Sequence, residues 1–552
     1  MRSYHTPGVY FERDDAAPPL IGPLRTDVAG MVGIAQRGPL NLPVRIESRQ
    51  QFAQVFGAPI PQAYLAYAAE SFFANGGQTC WFVRVAHPED ARVASLDIVD
   101  RTGTPILRLR AGSPGTWGNA VVARWLAREG QILSITLHYP DGSQELVRNP
   151  SQVANLASRR TVDEQITLDP AARPLVVFEV PTTPAARGSN SASIDDGEAL
   201  LGGGADGLAD LTTAHFIGEG PRDREPATGL AALESIADVS MVAIPDMMPV
   251  IRIAPHPIRR PRLDCANLSA PSPLPEPPDS PLEFPPAFDI GALHEALIGH
   301  CEKLRYRVAI LDTPDNLLPE AAMAVRGPFS SSFAAIYYPW IVVDDPLQLT
   351  SLVRRIPPSG AVAGVYARND RLYGVHRAPA NHVVEGALDV GFDVNEIVHG
   401  VLNDADVNVL RSFPGRGIRI FGARTMTSPS EIIWRYVNVR RLVSMIEKAI
   451  ERSTQWTVFE PNAVALRREI DRVIRAYLET LFRQGVLDGG SSEDAYSVTC
   501  DETTNPPEEA DLGRVICRIG VQPPKPAEFV VVVIGKTQNA IEVLQETGAL
   551  DG

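Results

Sequence analysis

A chain of 552 residues is too long for one compact core and implies two to four domains, and its 44% hydrophobic and 21% charged content is ordinary for a soluble globular protein. A net charge of −15 at pH 7 argues against a nucleic-acid surface, which needs clustered Lys and Arg to displace counterions; a polymer or an acidic protein partner fits better. No run of 18 apolar residues occurs and no cationic leader precedes an apolar stretch, so the expectation is a chain that folds in the cytoplasm without membrane insertion. The five cysteines (Cys80, Cys265, Cys301, Cys500, Cys517) form no CxxC pair, so neither a disulfide framework nor a zinc cage is indicated.

The chain opens with a short extended segment, Thr6, Pro7, Gly8, Val9, Tyr10, Phe11 and Glu12, held off from the first core-like residues by a loose run from Asp14 to Pro23. Val28 to Ile34 then reads as a strand ending at Arg37-Gly38-Pro39. A helix from about Gln62 to Phe73 stops at Asn75-Gly76-Gly77, and Cys80 to Val85 reads as the next strand. From about 96 to 204 the pattern becomes β-rich, with the turn Tyr139-Pro140-Asp141-Gly142 and a glycine-rich bend, Gly115 to Asn119, leading into a strand at Val121 to Trp125. Helix and strand then alternate: Gly229 to Ala237 helical, Val239 to Ile244 a strand, Leu293 to Leu304 helical, Tyr306 to Leu311 a strand. The two strands end at Pro245-Asp246 and Asp312-Thr313-Pro314, as in a parallel, doubly wound sheet. Eleven prolines between 255 and 286 exclude helix or central strand and predict an extended surface loop.

The clearest helix runs from about Asn462 to Gln484. Leu466, Ile470, Val473, Ile474, Tyr477, Leu478 and Leu481 give one apolar face, and Arg468, Arg472 and Arg475 share the other, either as a solvated face or as a basic ridge for an acidic partner. A Pro-rich tether, Pro523 to Pro526, leads to Phe529, Val530, Val531, Val532, Val533 and Ile534, which read as a fully buried strand. Tethered strands at both ends suggest a sheet completed by neighbouring subunits; the alternative is pairing within one chain.

Chemistry is largely missing from this pattern. No phosphate loop occurs, and Gly202 to Gly207 lies between no clear strand and helix, so it reads as a mobile turn and no cofactor is implied. His294 and His300 are six apart, whereas two metal ligands on one helical face need a spacing of four. Ser359 lacks the glycine two residues earlier that a nucleophile elbow needs and reads as a cap for the helical segment Ala361 to Ala367. Asp344 and Asp345 diverge on a strand. The chain is read as a non-enzyme, with a subtilisin-like or metal hydrolase using Ser359 or His294 and His300 as the competing view, and a closed shell as the structural one.

Ordered motifs from one end of the chain to the other resemble the tail sheath proteins of contractile phages, tailocins and contractile injection systems. They include Thr6 to Tyr10, Ala35 to Pro39, Phe72 to Gly77, Gly115 to Asn119, Gly203 to Gly207 and Tyr337 to Trp340. The densest stretch runs from Ile356-Pro357-Pro358-Ser359-Gly360 through Ala363 to Arg368 and Gly374 to Asn381. Gly422 to Thr425, Val437 to Arg441 and Val458 to Asn462 follow.

The resemblance implies a mixed α/β, subtilisin-like core without catalytic residues, a β-rich insertion, and strand-donating arms at both ends. It implies stacked rings, sixfold by family precedent, around an inner tube protein, with baseplate and terminator or cap proteins as further partners. The particle would be a phage tail or phage-tail-like virion component assembled in the bacterial cytoplasm. The expected organisation is an N-terminal arm (1–23), a first part of the core (24–95), the insertion (96–204) and the α/β core (205–429). A C-terminal sheath domain (430–525) and a C-terminal arm (526–552) complete it. Residues 6–12 and 529–534 would be inter-subunit strands, and Arg468, Arg472 and Arg475 would face the tube.

Overall fold

A computed structural model describes residues 21–22, 24–101, 103–128, 131–150, 174–179, 194–222, 225–247, 288–348, 351–528, 531–536 and 541–546. The N-terminal segment Thr6 to Glu12, the Pro-rich stretch 255–286 and residues Phe529 and Val530 lie outside these. Chain contacts divide the protein into two compact units, Arg25–Arg441 and a second made of residues 1–24 with 442–552.

The larger unit is built on a nine-stranded sheet. Its elements in chain order are β1 (Val28–Gly33), β2 (Val44–Ile46), α1 (Arg49–Phe56), α2 (Leu65–Ala74) and β3 (Thr79–Arg84). After the insertion come β11 (Met241–Ala243), α3 (Ile290–Leu304), β12 (Val308–Asp312), β13 (Ala334–Tyr338), α4 (Ser359–Tyr373), β14 (His382–Val383), β15 (Val407–Phe413) and β16 (Gly417–Ile420). The spatial order is β14-β16-β15-β13-β12-β11-β1-β3-β2. The six inner strands, from β15 to β3, are parallel, and β2, β16 and β14 are added antiparallel at the edges. Strands such as Val28–Gly33 and Val308–Asp312 are buried at every position, as apolar runs covered on both faces must be.

The insertion has its own core. Strands β4 (Ser95–Val99), β5 (Pro105–Ala111) and β9 (Val176–Glu179) form one antiparallel sheet. Strands β6 (Val122–Arg128), β7 (Gln131–His138), β8 (Gln144–Arg148) and β10 (Gly197–Leu200) form another. Leu107 and Leu109 point inward with Ile98, Trp117, Ile135, Leu137 and Phe178, while Arg108 and Arg110 alternate outward onto Asp97 and Glu179. The bend at Gly115 to Asn119 leads into a 3₁₀ helix, Thr116–Ala120, which docks on the second glycine cluster. Thr116 donates from N and Oγ1 to the Asp206 carboxylate, both at 2.7 Å, and Asn119 exchanges two bonds with Gly204. The run expected to be a mobile turn is thus pinned at the root of the insertion.

Two other expectations are corrected. Ser359 is not a cap: Pro358 occupies that position, and Ser359 is the first, fully buried residue of a helix that runs to Tyr373. The helix expected over 229–237 is a 3₁₀ helix over Gly229–Ser235.

The smaller unit contains α5 (Val464–Arg483), β17 (Tyr496–Thr499) and β18 (Arg518–Val521), then a hairpin of β19 (Val531–Lys536) and β20 (Ile541–Glu546). All seven apolar positions expected on α5 are buried.

Candidate assembly interface

The carboxyl ends of the parallel strands are where an open α/β sheet holds ligands, at the point where strand order reverses. Here the chain passes from β1 to β3 on one side and later to β11 on the other, so that point lies between β1 and β11. It is filled from within. Asp246, fully buried just past β11, accepts from Ile34 N at 2.7 Å and from Tyr64 N at the start of α2. A side chain on Gly33 would strike the same carboxylate and crowd the Leu65 side chain. The next strand repeats the device: Asp312, at the end of β12, accepts from Ser359 N at 2.9 Å at the start of α4. Helix amino ends attract anions, and this protein supplies its own.

Burial outweighs those amides. It pushes the Asp312 carboxyl up to about 7 and that of Asp246 up to about 6, from an ordinary 3.8. A carboxyl raised in the folded state binds its proton more tightly there than in the unfolded chain. The stability it contributes is therefore full near pH 4 and lost as pH rises to about 7, each tenfold difference in proton affinity being worth about 1.4 kcal/mol. Asp312→Asn keeps an acceptor for Ser359 N and removes the titration. Relative to the parent, the variant is expected to gain stability as pH is raised from 5 to 8 in urea denaturation; a difference independent of pH would refute this.

The histidine and serine candidates lie around the same strand end, sealed. His294 contacts the Asp312 carbonyl through Nε2 at 3.1 Å, and burial lowers it to about 4. Ser359, Asp312 and His294 are all almost wholly inaccessible, and the histidine faces a backbone carbonyl instead of the serine hydroxyl. His300 accepts from the Arg307 guanidinium at 2.8 Å, and burial lowers it to about 3. No group of three His, Cys, Asp or Glu residues fit to hold a metal occurs among the described residues. Asp345 is buried under the Tyr67 hydroxyl at 2.6 Å while Asp344 points to solvent, so that pair diverges.

In the smaller unit the arginine stripe of α5 is largely neutralised. Arg472 pairs with Glu469 at 2.6 Å and Arg475 with Asp471 at 2.7 Å, the (i, i+3) and (i, i+4) spacings of helix-surface ion pairs. Arg475 also donates to the Val498 carbonyl. Arg468 is exposed without such a partner among the described residues.

The C-terminal strand expected over 529–534 is described over Val531–Lys536 and is not single. Val531 pairs with Glu546 and Lys536 with Ile541, so the tail after Gly535 folds back as a second strand. This two-stranded sheet joins no other sheet among the described residues. Among the described residues its two outer edges are therefore rows of backbone donors and acceptors with no strand beside them.

Comparison with known proteins matches residues 286–426 to the phage tail sheath protein central domain and residues 430–535 to the phage tail sheath C-terminal domain. A protein named as a prophage major tail sheath protein of Pseudomonas aeruginosa is 29% identical over 244 residues, 43% of this chain and 59% of that protein. The tail sheath protein of Vibrio phage KVP40 is 29% identical over 182 residues, 32% of this chain and 26% of that one. The chain thus matches less than two thirds of the length of either relative.

Among solved structures, the anti-feeding prophage helical sheath in its contracted state shares the fold with a TM-score of 0.55 at 20% identity, over 97% of this chain and 100% of that one. The crystal structure of the sheath tail protein from Desulfitobacterium hafniense gives a TM-score of 0.54 at 15% identity, over 90% and 94%. Two sheath domains are matched in their order along the sequence and a mixed α/β fold is shared over almost its whole length, so the chain carries the central and C-terminal domains of phage tail sheath proteins.

Proposed function

We propose that this chain is the structural subunit of a contractile sheath. It polymerises as stacked rings of six around an inner tube protein, and its contraction drives the tube through a target membrane. The observation that carries this reading is the consecutive match of the central and C-terminal sheath domains over residues 286–535. The filled strand-end crevice fits a scaffold, and the buried Ser359 and His294 give the hydrolase view no support. Its partners are further copies of itself, the tube, and baseplate and terminator or cap proteins, in a phage-tail-like particle assembled in the bacterial cytoplasm.

Residues 6–12 and 529–534 act as strands exchanged between subunits. A lone two-stranded hairpin is marginal in water, so the open edges of β19 and β20 favour completion by another chain. Four to six added backbone hydrogen bonds at ~1 kcal/mol net each would hold such a link while the Pro523 to Pro526 tether lets subunits turn.

Negative-stain electron microscopy of the purified chain tests this: striated hollow cylinders are expected. A chain ending at Pro526 should lose them while its thermal unfolding stays unchanged, and cylinders from that truncated chain would refute the strand exchange. Closed shells would favour the structural competitor. Arg468, Arg472 and Arg475 face the tube. Of these Arg468 gives the cleanest test, because it breaks no helix ion pair. Arg468→Glu should weaken sheath assembled on the tube and spare tube-free cylinders, and equal damage to both would count against the assignment.

A further inference from the structure

We infer that Cys500 and Cys517 are a latent cross-strand disulfide that closes when the protein meets a low-molecular-weight disulfide oxidant, whatever the terminal hairpin binds.

Strand register brings the two cysteines together. In the β17/β18 ladder Thr499 lies opposite Arg518, and the next position outward sets Cys500 opposite Cys517. Gln522 N donates to Ala495 O at 2.8 Å at the other end of the same ladder. Antiparallel pairs alternate between hydrogen-bonded and non-bonded, so Ala495/Gln522, Ser497/Gly520 and Thr499/Arg518 are of the first kind. Tyr496/Val521, Val498/Ile519 and Cys500/Cys517 are of the second. The Val498 carbonyl obeys this alternation: it turns away from β18 and accepts from Arg475 on α5. Non-bonded pairs bring Cα atoms to about 4.5 Å with side chains on one face, inside the range that a disulfide spans.

Both residues are free thiols, Cys500 buried and Cys517 partly exposed. Burial, reinforced by the neighbouring Cys500 thiol, pushes Cys517 up to about 12. Cys517 is also held in place: the Asn505 side chain clamps Ile516, accepting from its N at 2.6 Å and donating to its carbonyl at 2.8 Å.

The chemistry balances in two exchanges. The more accessible Cys517 thiolate attacks the oxidant's disulfide, forming a mixed disulfide and releasing one small thiol. The Cys500 thiol then gives up its proton and attacks the Cys517 sulfur, releasing the second small thiol and forming the Cys500–Cys517 bond. The oxidant gains the two electrons that the cysteines lose. The high Cys517 pKa makes the first step slow at neutral pH and faster in alkali. The bond closes the loop between β17 and β18 and ties β18, from which the tether departs, to the strand that rests on α5.

The test is oxidation of the full folded chain with glutathione disulfide at alkaline pH, followed by denaturation, maleimide labelling and tryptic mass spectrometry under non-reducing conditions. Cys500 and Cys517 fall in separate tryptic peptides, 484–514 and 515–518, so the bond joins two fragments. The expected result is that linked pair, loss of two of the five labelled thiols, recovery with dithiothreitol, and a higher unfolding midpoint for the oxidised chain. In Cys500→Ser the glutathione adduct should instead persist on Cys517. Five labelled thiols after oxidation, a stable glutathione adduct on Cys517 in the parent chain, linkage to Cys265, or a cross-link between two chains would each overturn the inference.

Discussion

Arg441→Ala is expected to lower stability by about 3–5 kcal/mol, the usual cost of stripping one partner from a buried ion pair. Arg441 reaches Asp370 on α4 through a two-pronged fork, Nη1 to Oδ1 at 3.0 Å and Nη2 to Oδ2 at 2.6 Å, with both side chains almost completely inaccessible. Its Nη2 also donates to the Thr26 carbonyl just before β1, and the guanidinium lies over the Tyr366 ring at 4.9 Å. The hydroxyl of that ring bonds Tyr337 on β13. Truncation leaves a carboxylate in a dry place without its counter-charge and frees an acceptor near the first strand. Arg441→Lys keeps the charge but loses the planar fork, so it should recover only part of the loss. A double variant, Arg441→Met with Asp370→Leu, removes both charges and should be milder than Arg441→Ala alone. Urea midpoints of the four proteins measure this, and an Arg441→Ala cost below about 1 kcal/mol would mean the pair is wet and weak.

Arg441 and Tyr366 of that network lie in separate sequence motifs, while Asp370 and Thr26 lie in none, and their meeting is not visible in the sequence. Gly374 to Asn381 and Val437 to Arg441 are two distinct family stretches along the chain; in the fold Asn438 donates to the His376 carbonyl and Arg441 pairs with Asp370. In the same way Gly115 to Asn119 and Gly203 to Gly207 prove to be two halves of one junction. What a single sequence displays well is periodicity over a long element, hence the close agreement for α5. Short elements with weak patterns escape. Helix α1 has only Phe52, Val55 and Phe56 buried, although Ser48 and Gln51 spell a capping signature of which the structure uses the first half: Gln51 N donates to Ser48 Oγ at 3.1 Å, while Gln51 Oε1 reaches one residue further back and accepts from Glu47 N at 2.7 Å. Strand β20 reads in sequence only as part of the C-terminal arm, because Ile541 to Glu546 alternates too loosely to announce a partner for β19. Asp246 and Asp312 read only as strand ends. Their roles as helix anchors depend on amides 182 and 47 residues away, which no local pattern encodes.

Glycine-to-alanine changes at Gly360 and Gly364 are expected to cost about 1–3 kcal/mol each or more, against the intrinsic preference of a helix for alanine. Both lie on α4 where it crosses α2. A Cβ on Gly360 would stand 2.5 Å from the Ala68 Cα and carbonyl oxygen, and one on Gly364 would stand 2.4 Å from the Phe72 carbonyl oxygen. These neighbours are backbone, so no side chain can swing aside; the helices must part by about 1 Å, and a gap of that size forfeits up to half of the dispersion energy of the facing atoms. Parting also draws the start of α4 from the Asp312 carboxylate and that of α2 from Asp246, which couples the loss to the two buried caps. Once one Cβ has opened the seam the second finds room, so the double variant should cost less than the sum of the singles. Gly299 on α3 is the control: nothing lies within 4 Å of the place its Cβ would take, so Gly299→Ala should stabilise by about 0.5–1 kcal/mol. If Gly360→Ala and Gly364→Ala behave like Gly299→Ala in the same denaturation experiment, α2 and α4 are not in close backbone contact. The two strand-end carboxylates would then hold their helices independently of that seam, and the coupling between seam and caps would be refuted.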